Sequence, residues 1–518
     1  MSNVTVLIAG AGPVGLALAV ELTRWGVPCR IVEKAAAATP YSKALVVWPR
    51  TLEHFATAGC AAEFLDAGRP ITRAEIRAGT RRIARIDFTG IETPYPYALF
   101  VPQSETERLL EEYLGRLGVT VERRIELTGF TPGPDSVVAT LRRADGGAEH
   151  VAADYLIGCD GAHSAVRHGL GMEFSGVSEQ GVWMLGDLQL RGPGAGDELG
   201  LYWHRRGVLA IFPMKAGRVR IIAELGPANA APKEATLELI QTILDQRGPG
   251  GLTAHDPVWL SLFHINERKV ADYRRGRVFL AGDAAHIHSP AGGQGMNTGI
   301  QDSVNLAWKL ALVSRGHARP VLLATYSPER SAVGAMVLRN ATNLTRIATI
   351  RNPLLQALRN AAAWLLMKLP PVRRGFATAM TELNIAYPQS ALSRGGGGKL
   401  KPGSRAPDAA FLDAGGEIAQ LFDAFHRTGF TLLEIGGATK TAGAKAGGAG
   451  NAADNPPARF GDLVKTIALG PAQDIAGELA QRYGSGLYLI RPDGYIGLAA
   501  PAGDFRAAEK YLAAWLKA

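Results

Sequence analysis

Apolar positions along this chain of 518 residues follow two rhythms. Short runs rich in β-branched residues, Val4-Thr5-Val6-Leu7-Ile8-Ala9 and Cys29-Arg30-Ile31-Val32-Glu33, predict buried parallel strands. Helical spacing fills the gap between them from Leu16 to Trp25, which makes one βαβ unit. Further strands are predicted at Tyr155-Leu156-Ile157-Gly158 and at Arg277-Val278-Phe279-Leu280-Ala281. The second of these precedes a helical pattern from Gly299 to Leu310, and another helix is predicted from Glu105 to Leu117. Between about 176 and 267 strand-like runs crowd together, among them Trp183-Met184-Leu185, Leu201-Tyr202-Trp203, Val208 to Phe212 and Arg218 to Ala223. They predict a separate sheet, joined by strands from residues 71–99. Residues 340–390 read as helices broken at Pro370-Pro371. Their apolar side, Leu354-Leu355 with Leu358 and Trp364 to Met367, is expected to pack on the protein or across a dimer; a membrane surface is the weaker alternative. Gly395 to Gly398 marks a linker. Beyond it strands are predicted at Phe430 to Ile435, Leu463 to Leu469 and Gly486 to Ile490, then a turn at Arg491 to Ile496 and a closing helix from Phe505 to Leu516. Gly436 to Pro457, full of Ala, Gly and Lys, reads as a flexible surface loop.

The joints between these elements carry the chemistry. Gly10-Ala11-Gly12-Pro13-Val14-Gly15 follows the first strand and opens the first helix, in the pattern G-x-G-x-x-G. Glu33 ends the second strand, about twenty residues on, where a carboxylate can bind ribose hydroxyls. Alone, such a turn is also found in ordinary βαβ units. The strand, helix, second strand and acid in register favour a dinucleotide site. The second joint, Gly282-Asp283 through Gly292-Gly293-Gln294-Gly295-Met296-Asn297, is again strand, glycine-rich loop and helix. Glycine admits a bulky ligand, the helix start offers free N–H groups, and Asp283 can accept hydroxyl donors.

With Cys159-Asp160-Gly161-Ala162-His163-Ser164-Ala165-Val166-Arg167 between them, these joints form an ordered triple over residues 4–310. The chain therefore resembles the class A FAD-dependent aromatic hydroxylases, flavoprotein monooxygenases of the p-hydroxybenzoate hydroxylase fold. Its C-terminal part is similar to the thioredoxin-like domain of relatives acting on polyketides, rifampicin-type compounds and phenylpropionates. The implied fold is α/β with α+β parts. It comprises a discontinuous Rossmann-like FAD domain (1–70, 100–175 and 268–390, with a helical extension), a β-sheet substrate domain (71–99 and 176–267) and a thioredoxin-like domain (399–518).

The resemblance assigns roles residue by residue. Gly10, Gly12, Pro13, Val14 and Gly15 would seat the pyrophosphate, Glu33 the adenosine ribose and Asp283 the ribityl chain. Pro290, Gly293, Gly295, Met296 and Asn297 would line the flavin ring, with backbone N–H groups near its pyrimidine end. Arg50 and Gln103 would contact the cofactor, as would Lys43, which stands where the family often has Arg and lacks the bidentate fork. Asp160 and Arg167 would serve both FAD and a transiently docked NADPH or NADH, because the chain has no second nucleotide-binding unit; a plain helix-start role is the alternative for Arg167. No catalytic side chain is certain, since the flavin carries the chemistry through a C4a-hydroperoxide formed with O2. Arg220, His204 and Tyr202 are the candidates near the substrate, with Trp203, Phe212 and His54 as weaker ones and ordinary packing as the rival explanation. His286 and His288 read as structural hydrogen-bond formers.

Composition narrows the alternatives. A 47% hydrophobic and 20% charged chain is ordinary for a globular protein. The three cysteines, Cys29, Cys60 and Cys159, are far apart; they form no disulfide framework or metal spacing, and none lies in the last unit, which excludes a dithiol there. They suit a cytoplasmic protein, and no apolar run reaches the length of a membrane span. The net charge of +9 reads as a solvated surface or as attraction for anionic cofactors, with no motif for nucleic acid. The expected partners are a small phenolic or polyketide-like aromatic and O2, without membrane or nucleic acid, and compatible with a homodimer. A halogenase or reductase of the same fold is the rival enzyme, although no Trp-x-Trp pair occurs. A flavin-binding interaction protein is the non-enzymatic rival.

Overall fold

Residue Ser2 begins a strand, Ser2–Ala9, whose parallel neighbours are Cys29–Glu33 on one side and Ala148–Gly158 on the other. The computed structural model describes residues 2–41, 44–193, 198–229, 231–436 and 456–517. The Gly436 to Pro457 loop thus lies almost wholly outside the described residues. Val278–Leu280 adds a further parallel strand beside Ala148–Gly158. In register, Ala9 faces Gly158 and Gly158 faces Leu280. All three glycine-bearing turns therefore leave the sheet at one edge, the carboxyl ends of its strands, which is where open parallel sheets bind ligands. The helix Pro13–Arg24 packs against Gly295–Ser314, a helix buried almost all round.

A second sheet of eight strands runs in the order His286–Ile287, Thr253–Lys269, Ser175–Arg191, Arg218–Pro227, Gly207–Pro213, Leu199–His204, Arg73–Ala78 and Arg81–Asp87. The strand Ala98–Phe100, expected here, instead pairs with Val46–Val47 and Arg69–Ile71 in a small sheet of its own. Strand alternation gives the large sheet two apolar faces. One packs Met184, Leu209 and Ile221 against Ile240, Ile243 and Leu244 of the helix Leu237–Arg247. The other carries Trp183, Leu185, Val208 and Phe263.

Helices Pro353–Leu366 and Pro370–Met380 press Ala363, Phe376 and Met380 onto a cluster with Ile76, Phe88 and Phe100. Their apolar side packs on the protein only in part: Met367 joins this cluster, Leu354, Leu355, Leu358 and Leu365 face outward, and Arg359 is turned inward over the Trp203 ring.

The last unit is a five-stranded sheet in the order Arg394–Gly395, Ile496–Ala500, Gly486–Ile490, Phe430–Ile435 and Val464–Leu469, closed by the helix Phe505–Trp515. Two expectations change. Gly395 is not in a free linker but in the edge strand, because a Cβ there would lie 2.2 Å from the Ala499 carbonyl oxygen and only glycine admits that approach. Nor is the unit tethered: Phe430, Leu432, Leu487 and Leu512 share one hydrophobic cluster with Trp308 and Leu322 of the cofactor domain.

Buried charge completes that contact. Arg491 of the last unit donates to Glu329 (2.7 Å) and to Asp493 (2.5 Å), while Lys309 donates to Glu329 from the far side (2.7 Å). All four side chains are at most 1% exposed. Two cations offset two anions, so no net charge is left in the core. Arg491→Met keeps the volume and leaves two carboxylates facing one lysine. A loss of about 3–5 kcal/mol is expected, read as a lower thermal unfolding midpoint; an unchanged midpoint would refute this account of the contact.

Candidate active site

The three turns are stitched to one another through the backbone. Gly10 N donates to Val32 O (2.8 Å), Cys159 N to Ala9 O (2.8 Å) and Ala281 N to Gly158 O (3.0 Å). Gly10 has φ +100°, and a Cβ on it would lie 2.4 Å from the Cys159 carbonyl oxygen, so the first two turns touch only through glycine. The helix Pro13–Arg24 starts at Gly12 with no side-chain cap, and its first rung is Leu16 N to Gly12 O (3.0 Å). Nothing lies within 4 Å of a Cβ built at Gly12. An uncapped helix start opening onto free space is what a pyrophosphate requires. Beside it, Glu33 accepts from Ala11 N and Ala35 N (both 2.9 Å), which holds its carboxylate against the turn.

In the second turn Asp160 accepts from Val166 N through Oδ2 (3.2 Å), while its Oδ1 is buried without a partner. A buried acceptor left open fits a ligand hydroxyl. Arg167 has partners in two turns. Its guanidinium donates to Ala162 O (2.7 Å) and Ala284 O (3.0 Å) and lies over Phe174, 4.0 Å from the ring centroid. Being 2% exposed, it ties the second turn to the third, and its Nε has no partner.

The third turn hangs on a residue that the motifs did not mark. Asp302 accepts from Gly282 N (3.0 Å), from His286 Nε2 (2.8 Å) and from Arg330 Nε (2.6 Å). Burial alone would raise its carboxyl; Arg330 and His286 outweigh burial and hold it below the usual range. His288, beside it, is pushed down to about 4 by burial and stays neutral. Asp283 stands exposed at the head of this turn, and Pro290 is exposed further along it. Gly293 N closes onto Pro290 O (2.9 Å). The helix Gly295–Ser314 makes its first rung at Thr298 N to Gln294 O (2.8 Å), so the N–H groups of Gly295, Met296 and Asn297 precede the ladder. The Asn297 side chain is spent otherwise: it accepts from Trp48 N (2.8 Å) and donates to Val46 O (2.8 Å) and Gly293 O (3.0 Å).

Of the remaining residues expected at the cofactor, Lys43 lies outside the described residues. Gln103 heads the helix Gln103–Arg116 and donates to Glu107 (2.9 Å). Arg50 reaches Glu53 (2.8 Å) and Asp493 O (2.7 Å) with its guanidinium and stacks over Tyr495, which ties it to the C-terminal unit. His54 is a core histidine, buried in an apolar lining with Ala17, Val20 and Phe55 and held well below its usual pKa by burial.

Above the turns, strand parity sorts the substrate candidates. Trp259, Asp187, Arg220 and Phe212 sit opposite one another across four strands, in one row on one face. Arg220 clamps Asp187 through two donors (2.8 and 2.7 Å) and donates to Ala44 O (3.1 Å), the carbonyl that also accepts from Gln103 N (3.0 Å). So Arg220 links the large sheet to the cofactor side. Tyr202 packs in the opposite-face cluster under the helix Leu237–Arg247. His204, two residues on, takes that face as well. Its Nδ1 accepts from Arg206 N (3.2 Å), and burial and three arginines lower its pKa. Both therefore lie on the sheet face opposite the row of Trp259, Asp187, Arg220 and Phe212. Glu382 is a further residue that the sequence did not single out. It is 1% exposed, has φ +61°, and accepts from Thr298 Oγ1 (2.9 Å) and Gln301 Nε2 in the first turns of the helix Gly295–Ser314. Burial pushes its carboxyl up to about 8.

Known proteins share this arrangement. The FAD binding domain family matches residues 3–341, and the family described as aromatic-ring hydroxylase, C-terminal, matches residues 400–518. A 6-methylpretetramide 4-monooxygenase of Streptomyces rimosus is 38% identical over 76% of this chain and 71% of its own length. A rifampicin monooxygenase of Rhodococcus hoagii is 36% identical over 74% of this chain and 79% of its own. The solved anhydrotetracycline hydroxylase OxyS of Streptomyces rimosus superposes with a TM-score of 0.81 at 32% identity, covering 99% of both chains.

The raised carboxyl of Glu382 gives a pH signature. Its proton is held more tightly in the folded chain, so its contribution is full below about 4.5 and is lost as pH rises towards about 8. Glu382→Gln cannot ionise. Its thermal midpoint is expected to gain on the unsubstituted protein between about pH 5 and pH 8. A difference that does not change with pH would show that Glu382 does not titrate in this window.

Proposed function

This chain belongs to the FAD-binding aromatic-ring hydroxylases and is a flavin-dependent monooxygenase, and on that premise we propose that it hydroxylates a phenolic or polyketide-like aromatic at the expense of O2 and NADPH or NADH. The supporting observation is the convergence of the three turns at one sheet edge, with an uncapped helix start, open space at Gly12 and an unpartnered Asp160 Oδ1. When bound there, FAD supplies the two-electron relay and the oxygen activation.

Each residue has a part in that reading. Gly10, Gly12, Pro13, Val14 and Gly15 seat the pyrophosphate at the helix start, and Glu33 holds the ribose. Asp160 and Asp283 accept hydroxyls. Pro290, Gly293, Gly295, Met296 and the backbone of Asn297 line the ring, where N–H donors stabilise negative charge at its pyrimidine end. Gln103 closes the site from the other side. The aromatic substrate lies against the row Phe212, Arg220, Asp187 and Trp259, and the apolar sheet face keeps bulk water from the reacting oxygen. The nicotinamide docks transiently, since the sequence provides no second nucleotide unit. The C-terminal unit is a thioredoxin-like fold without cysteine, used for packing rather than disulfide exchange.

Purified protein is expected to release FAD on denaturation. Across a panel of phenols, some compound should stimulate NADPH or NADH oxidation and incorporate labelled oxygen from O2. Protein that takes up no FAD, or labelled product from no compound, would overturn the proposal. Loss of one hydrogen-bond acceptor costs roughly 1–3 kcal/mol, so Asp283→Ala should weaken FAD retention about tenfold or more, measured by titration of the apoprotein.

A further inference from the structure

We propose that the helical pair Pro353–Leu366 and Pro370–Met380 is a docking surface for an anionic lipid bilayer. More than half of the exposed large hydrophobic residues of the described chain lie between Ile347 and Val372. Leu354 is 81% exposed, Leu358 66% and Leu365 61%. In an ordinary surface helix the apolar stripe faces the core and the charges face water. Here the order is reversed: Arg359 is 9% exposed and turned inward, and the leucines face out. Such a patch marks an interaction site.

Charge selects the occupant. Between Glu329 and Glu382 the chain has no Asp or Glu, but it has eight Lys and Arg residues. Lys368, Arg373 and Arg374 are exposed beside the leucines and make no ion pair among the described residues. Lys368 sits 3.3 Å from the centroid of the Trp364 ring, joining a cation to an aromatic at the patch border. A second copy is a poor fit, because a two-fold contact buries the same patch on both copies, and this patch carries cations with no acid on either helix to offset them. An anionic membrane offers both complements at once. Leucines enter the acyl boundary, the tryptophan sits at headgroup level, and the cations meet phosphates. No helix of the described residues is long and apolar enough to cross a bilayer, so the contact is one of lying on the surface. The sequence had placed such a surface second to packing on the protein or across a dimer. The inner side of the same helices covers the aromatic sheet face through Arg359 and Phe376, so docking would set the substrate domain next to the bilayer.

The test is flotation of the FAD-loaded protein with vesicles of phosphatidylcholine containing about 30% phosphatidylglycerol, and with vesicles of phosphatidylcholine alone. Binding is expected to the anionic vesicles, at least tenfold weaker to the neutral ones and weaker again in high salt. Leu354→Glu with Leu358→Glu should cut binding by more than tenfold, with FAD content and circular dichroism unchanged because both positions are exposed. Lys368→Glu with Arg373→Glu should act in the same direction. No binding to anionic vesicles, or equal binding by the leucine variant, overturns the proposal. So does sedimentation that shows a dimer dispersed by the leucine substitutions, which would assign the patch to self-association. None of these readouts depends on hydroxylation, so docking and the catalytic reading stand or fall separately.

Discussion

A carboxylate without access to water, Asp302, fixes the cofactor side of this protein. It is 0% exposed and holds the third glycine turn through the Gly282 amide, the His286 ring through Nε2 and the Arg330 guanidinium through Nε. A lone charge at that depth would be untenable, and the pairing with Arg330 makes it permissible. Arg330 in turn holds Thr298 O (2.9 Å) and the Tyr387 hydroxyl (2.8 Å), and Tyr387 packs on Tyr495 with ring centroids 4.5 Å apart. From one acid, contacts run without a gap from the loop proposed to line the flavin to the turn Arg491–Tyr495 of the last unit.

This continuity changes what the C-terminal unit is. Without cysteines it has no dithiol to exchange, and a tethered module could be removed without harm to the rest. Here its sheet and helix share apolar packing with the cofactor domain. Arg491 neutralises Glu329, and Arg405 reaches back to Glu53. Arg50, which sequence resemblance placed at the cofactor, belongs to this seam. The last unit is thus part of the wall behind the flavin helix.

The sequence was most informative where the constraint is local. Gly10, Gly12 and Gly282 stand at strand ends, and the strands around them were evident from short β-branched runs. What it concealed depends on partners far along the chain. Asp302, Lys309 and Glu382 look like residues of solvated helix faces until the helices that bury them are known. The one available signal was a helix, Gly295–Ser314, that is apolar or small on every side and yet holds Asp302, Asn305 and Lys309. The side of the sheet that Tyr202 and His204 take was hidden for a related reason. Alternation states that Tyr202 and Trp203 face opposite ways, but not which of them faces the flavin. Arg167 was recognised as important, and its partners, two carbonyls from separate turns, were not readable from its own motif.

The contact between Gly10 and the Cys159 carbonyl also sets an order of events during synthesis. The first glycine turn leaves the ribosome well before its neighbours: its floor arrives only with Ala148–Gly158 and the strand beyond only with Val278–Leu280. Five of the eight strands of the large sheet, from Ser175–Arg191 to Thr253–Lys269, are made between those two. Parallel pairing across such separations is slow, because loop closure must precede any gain from contact. Nascent chains that end before Val278 therefore carry a recognisable nucleotide fingerprint and no means of closing it, and for that interval their unpaired strand edges are open to wrong partners.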